Sequence, residues 1–181
     1  MSEQLDVLKL VAERLQRADI AYMITGSIAL NYYAQPRLTR DIDIVVALRL
    51  EDAERVTNLF ATDFYIDADA VRNAIAHLGM FNIINYDYVM KVDLIARKDT
   101  PYRQEEFARR SAVEIDGVTM WLVTAEDLLL SKLAWAAESR SEIQLQDVRN
   151  LIRAVADLDW TYNERWATEL MLGELLREVR G

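Results

Sequence analysis

Residues 26–47 read GSIALNYYAQPRLTRDIDIVVA. The last third alternates. Asp41, Asp43 and Val45 fall on one side, and Ile42, Ile44 and Val46 on the other, the period of a strand with one polar and one apolar face. Two carboxylates on one face of a rigid strand repel each other. They are comfortable only with a cation between them or water over both. Ahead of them, Ala21–Thr25 reads as a strand running into Gly26-Ser27. A helix begins near Ser27, spans Ile28–Ala34 and stops before Pro36, because the residue preceding a proline disfavours the helical region. Such a turn aims free backbone N–H groups and a hydroxyl outward, which suits a phosphate. Each signal also has an ordinary reading. Asp-x-Asp at a strand start is often a solvated edge, and Gly-Ser after a strand is often a plain turn or cap. Arg37 and Arg40, in the turn between the two halves, either bind phosphate or offset Asp41 and Asp43.

The arrangement of Gly26, Ser27, Thr39, Asp41 and Asp43 resembles the nucleotidyltransferase superfamily of the polymerase-β type: Gly-Ser, a short helix, then Asp-x-Asp on the next strand. Members place a third carboxylate on a later strand, and Asp93 within Val89–Ala96 fits that position. Further on, Ala125–Leu133 and Gln144–Arg149 look like the C-terminal helical motifs of the abortive-infection (AbiEii-like) and minimal branches, a Lys on one helix and an Asp on the next, matched here by Lys132 and Asp147. The resemblance covers residues 20–155 and implies a toxin–antitoxin or phage-defence setting with a partner protein. It implies that Asp41, Asp43 and Asp93 hold Mg²⁺, up to two ions. Gly26, Ser27, Thr39, Arg40 and Asp147 would contribute to the nucleotide site, and Lys132 would oppose charge on the triphosphate.

Composition narrows the alternatives. At 181 residues with 52% apolar content, the chain has enough apolar surface for a substantial core, and five Gly and two Pro argue against long linkers. It has no Cys and one His. That removes disulfide and thiolate-metal chemistry and leaves oxygen ligands, which suit Mg²⁺. The expected setting is the cytoplasm: Glu3, Asp6 and Lys9 interrupt any secretory pattern, and no apolar run is long enough for a membrane span. Net charge is −9, and neither half of the chain is basic, which weighs against broad nucleic-acid binding.

Periodicity gives the rest of the chain. Helices are expected over Ser2–Arg17 with Ser2 as cap, Leu50–Phe60, Ala68–His77 and Tyr102–Arg110. Phe64–Ile66 is a short strand. Phe81–Ile84 and Tyr88–Ala96 form a hairpin, and Ala112–Ile115 with Val118–Val123 form another around Asp116-Gly117. After Thr124, a cap with Asp127 three residues on, helices follow at 125–138, 144–156, 161–170 and 172–180. The expected architecture is α+β: a mixed-sheet nucleotidyltransferase lobe over residues 1–124, flanked by helices, then a helical lobe over 125–181, with the cleft between them.

Phosphoryl-type transfer needs positioning and charge neutralisation more than covalent help. The first expectation is an Mg²⁺-dependent enzyme that moves a nucleoside monophosphate from a nucleoside triphosphate to a hydroxyl of a protein, tRNA or small molecule. The alternatives are an antibiotic nucleotidyltransferase and a non-catalytic nucleotide-binding partner subunit. Lys132 is either a snorkelling surface lysine or a triphosphate ligand. Asp147 either faces the cleft or pairs with Arg140 or Arg149. His77 is structural, and Trp121, Trp135, Trp160 and Trp166 are expected in the core or between packed lobes.

Overall fold

Helix α1 (Glu3–Arg17) turns Val7, Leu8, Val11, Ala12 and Leu15 inward along one stripe. It opens the computed structural model, which describes residues 3–181, so the cap expected at Ser2 lies outside the described residues. Strand β1 (Tyr22–Thr25) passes directly into α2 (Gly26–Tyr33), and β2 (Ile42–Val46) follows after the Pro36 turn. A 3-10 turn, Leu50–Asp52, leads into α3 (Ala53–Phe60), then β3 (Phe64–Tyr65), α4 (Ala68–Ala76), β4 (Met80–Asn85), β5 (Lys91–Ala96) and α5 (Pro101–Arg109). The β6 (Ser111–Ile115) and β7 (Val118–Leu122) hairpin turns on Asp116 and Gly117, with φ of 48° and 78°. Positive φ at both positions is what a two-residue hairpin turn demands.

The seven strands form one mixed sheet in the order β3-β4-β5-β2-β1-β7-β6. The pairs β1–β7 and β2–β5 are parallel, and the others are antiparallel. Register decides the site. Thr25 pairs with Asp43, Asp43 with Asp93, and Asp93 with Asn82. Residues in register point to the same face, so the two aspartates stand side by side on neighbouring central strands. The opposite face of β2, Ile42, Ile44 and Val46, is buried in the core.

Four helices complete the chain: α6 (Ala125–Ser139), α7 (Glu142–Ala154), α8 (Trp160–Glu169) and α9 (Gly173–Arg180). Thr124 caps α6, its hydroxyl accepting the Asp127 N–H. Leu128, Leu129, Leu130 and Leu133 of α6 join the same apolar core as Ile24, Ile44 and Leu94. Each fully buried leucine contributes about 1.5–3 kcal/mol, enough to hold α6 against the sheet despite the lysine in its midst. No helix among the described residues is long and apolar enough to cross a membrane.

Three local expectations are corrected. Strand β5 starts at Lys91 rather than Tyr88, because the Asn85 side-chain oxygen accepts the backbone N–H groups of Asp87 and Tyr88. That widens the turn and puts Val89 at φ 50°, a costly conformation for a β-branched residue. Asp41 lies one residue before β2, its N–H held by the Thr39 hydroxyl at 3.3 Å. Of the four tryptophans, Trp166 is buried, but Trp121 is 37% and Trp135 54% exposed. Trp121 stands on the outer face of β7 under the Arg110 guanidinium, and Trp135 lies on the open side of α6.

Candidate active site

Gly26 has φ +63°, and a Cβ there would sit 2.1 Å from Asp43 Oδ2. The space that glycine leaves open is filled by the Asp43 carboxylate, so the Gly-Ser turn and the Asp-x-Asp strand meet at one point. Burial pushes the Asp43 carboxyl up to about 6, the Asp93 and Asp41 carboxylates add to the rise, and Lys132 and Lys91 oppose it.

Asp93 is buried. Its Oδ2 accepts from Lys91 Nζ at 2.7 Å, while its Oδ1 has no partner. Asp41 is exposed, with Oδ1 3.9 Å from the same ammonium. Among the described residues, no three carboxylate, histidine or cysteine side chains already converge as a metal cage. The donor set nevertheless fits a hard cation. Asp43 is strained by its neighbours and Asp93 carries an unsatisfied buried oxygen, and each would gain from a divalent ion with oxygen preference.

A second charge cluster faces the first. Lys132 on α6 is 4% exposed, and its ammonium donates to Asp147 Oδ2 at 2.8 Å and Gln144 Oε1 at 3.1 Å. Burial lowers the Lys132 pKa, and the bond to Asp147 works against that. Asp147, 2% exposed, also accepts a two-pronged pair from Arg37 Nε and Nη2, each at 3.0 Å. The Arg37 Nη2 donates in turn to Ser27 Oγ at 2.7 Å. One carboxylate thus anchors two cations, which share its Oδ2, and ties α6 and α7 to the start of α2.

A cleft of about 300 Å³ reaches Asp43 of the first cluster and Lys132 of the second. Thr25, Gly26 and Asp43 form one end, and Val45 and Ile95 the floor. Lys132, Ser131 and Trp135 of α6 form the roof. In the wall, Glu106 is buried and bonded to Arg103 at 2.8 Å and Ser131 at 2.5 Å; burial raises its pKa.

This architecture has solved counterparts. A nucleotidyltransferase-like protein from Paracoccidioides brasiliensis superposes with a TM-score of 0.68 at 18% identity, over 98% of this chain and 89% of that one. The fold is that of the nucleotidyltransferases. The lincosamide antibiotic adenylyltransferase LnuA, solved with lincomycin, shares it with a TM-score of 0.58 at 11% identity, over 86% and 99% of the two chains. The antibiotic-resistance factor ANT(2'')-Ia shares it with a TM-score of 0.53 at 12% identity, over 95% and 89%. No family model and no curated protein matches the chain by sequence.

Within this nucleotidyltransferase fold, Gly26, Ser27, Asp43, Asp93, Lys132 and Asp147 come together. Thr39 is half-buried and engages Asp41, whereas Arg40 points into solvent with no ion pair among the described residues. Neither reading of Arg37 as an offset for Asp41 and Asp43 nor of Asp147 as a partner of Arg140 or Arg149 holds. The two pair with each other, because the Pro36 turn carries Arg37 towards α7. Lys132 is no surface lysine. Sequence reasoning passed over Lys91 altogether, although its place two residues before Asp93 on one strand puts both on one face.

Proposed function

We propose that the chain is a metal-dependent nucleotidyltransferase. The observation that carries this reading is the in-register pair of Asp43 and Asp93 beside a left-handed Gly26, across a cleft from a buried lysine. Asp41, Asp43 and Asp93 would hold Mg²⁺. When bound, the ion supplies Lewis-acid activation of the attacking hydroxyl and neutralises phosphate charge.

The chain's own residues do the rest. The backbone N–H groups of Gly26 and Ser27, at the start of α2, receive the outer phosphates of a nucleoside triphosphate. Lys132 and Arg37, pre-oriented by Asp147, oppose the charge that grows on the leaving group. The acceptor hydroxyl attacks the α-phosphorus, and the bond from that phosphorus to the bridging oxygen breaks. Pyrophosphate leaves, and Asp93 takes the hydroxyl proton. Trp135 and the Arg103–Glu106–Ser131 cluster wall the part of the cleft where the rest of the substrate lies.

The acceptor we favour is a protein or small molecule, since a net charge of −9 repels RNA. The packed Lys132–Asp147 pair is in keeping with the abortive-infection-like and minimal branch, and a toxin–antitoxin partner protein is proposed from that resemblance alone. The test is pyrophosphate release from each of the four common nucleoside triphosphates, with Mg²⁺ and cell extract as acceptor source. Release by the wild type and its loss in Asp43→Asn is expected. Tight nucleotide binding without release would favour the non-catalytic partner subunit.

A further inference from the structure

Lys91 stands where the carboxylates need positive charge. Its ammonium lies 2.7 Å from Asp93 Oδ2 and 3.9 Å from Asp41 Oδ1. It forms the only ion pair of Asp93 among the described residues, because Lys132 is committed to Asp147. The Lys91 side chain is 44% exposed, whereas that of Asp93 is 8% exposed. The ammonium therefore enters from the solvent end of β5 to meet a carboxylate that cannot move outward. It satisfies one oxygen and leaves Oδ1 with no partner.

We propose that Lys91 is the resident counter-ion of this site. It holds Asp93 in the metal-free protein, is exchanged for the divalent ion, and so sets the metal affinity. The inference rests on the carboxylate reading above. A single ammonium on a flexible stem can withdraw into water, at the cost of its charge-assisted bond to Asp93. It cannot stay within bonding distance of Asp93 beside a divalent ion, because like charges at that range repel. A divalent ion in turn takes six or more oxygens, so it competes for the Asp93 carboxylate as a whole, the oxygen that Lys91 holds as well as the one it leaves bare. Because the ammonium must first be displaced, the ion binds weakly on its own. Loading is then favoured when a triphosphate arrives with further oxygen ligands. Lys91 is a positioning residue in this scheme.

The test is Mg²⁺ titration by calorimetry, without nucleotide, of the full chain as wild type, Lys91→Met and Lys91→Arg. Lys91→Met should bind Mg²⁺ about ten- to a hundredfold more tightly, the factor expected when one charge-assisted hydrogen bond no longer has to be broken. Its melting temperature should fall without metal and recover with it. Lys91→Arg should bind more weakly than the wild type, because a guanidinium fork can grip two carboxylates at once. Equal affinities in the three proteins would overturn the proposal while leaving the carboxylate reading intact. Absence of Mg²⁺ binding in all three would overturn both. If Lys91→Met does not fold without metal, the comparison of wild type with Lys91→Arg decides.

Discussion

Asp43 concentrates the strain of the site in one side chain. Its carboxyl sits at about 6 against an ordinary 3.8, first from burial and then from Asp93 and Asp41. Between those values the folded protein binds more protons than the unfolded chain, so this group's contribution to stability is present below about pH 4 and is lost as pH rises through about 6. Asp43→Asn should therefore melt at a higher temperature than the wild type above pH 6 without metal, with the gap closing towards pH 4; melting curves across that range check it. Mg²⁺ affinity should rise with pH through about 6 in the wild type, since the ion needs the ionised carboxylate. Gly26→Ala should lose stability through its left-handed backbone, by about 1–2 kcal/mol. It should also displace the Asp43 carboxylate and so weaken Mg²⁺ binding measured by calorimetry. At this scale the sequence was legible where spacing encodes chemistry: alternation and the Gly-Ser turn singled out Gly26 and Asp43, Asp93 followed from the family resemblance, and the fold sets all three close together. What could not be read was that the Gly26 Cα abuts Asp43, or that Asp147 binds Arg37, because partners 110 residues apart in the chain leave no local pattern.

Helices α6 and α7 act as one element through buried charge. Asp147 neutralises both Lys132 and Arg37, so removing it leaves two cations with neutral partners only and no counter-charge. Asp147→Ala should cost about 3–5 kcal/mol in urea unfolding, the usual range for breaking a buried pair from one side. Lys132→Met should unfold at nearly the wild-type urea concentration, because its stem stays packed and Asp147 keeps Arg37. The same variant should slow transfer about a hundredfold or more, the scale of a well-placed electrostatic donor; single-turnover rates measure this. Asp127 is a second hub. It belongs to the Thr124 cap, and it also accepts from Arg109 Nε at 3.0 Å and Tyr162 Oη at 2.7 Å, joining α5, α6 and α8. The cap was visible in the sequence as a threonine three residues before an acid. The hub was not, since its other two partners lie on separate helices.

Across the whole molecule, the sheet brings together at one point what the chain keeps apart. β2 pairs with β5 across about 45 intervening residues of helix and hairpin, and only that pairing sets Asp43 beside Asp93. Alternation located the strands to within a few residues, but strand order depends on long-range packing that alternation does not encode. The central claim is that these paired carboxylates support transfer of a nucleoside monophosphate. It is tested most directly by supplying the full chain, Mg²⁺ and cell extract with a nucleoside triphosphate labelled at either the α- or the γ-phosphate. The account predicts that an acceptor gains the α-label, never the γ-label, and that Asp93→Asn abolishes the gain. Transfer of the γ-label, or undiminished α-labelling by Asp93→Asn, would contradict it.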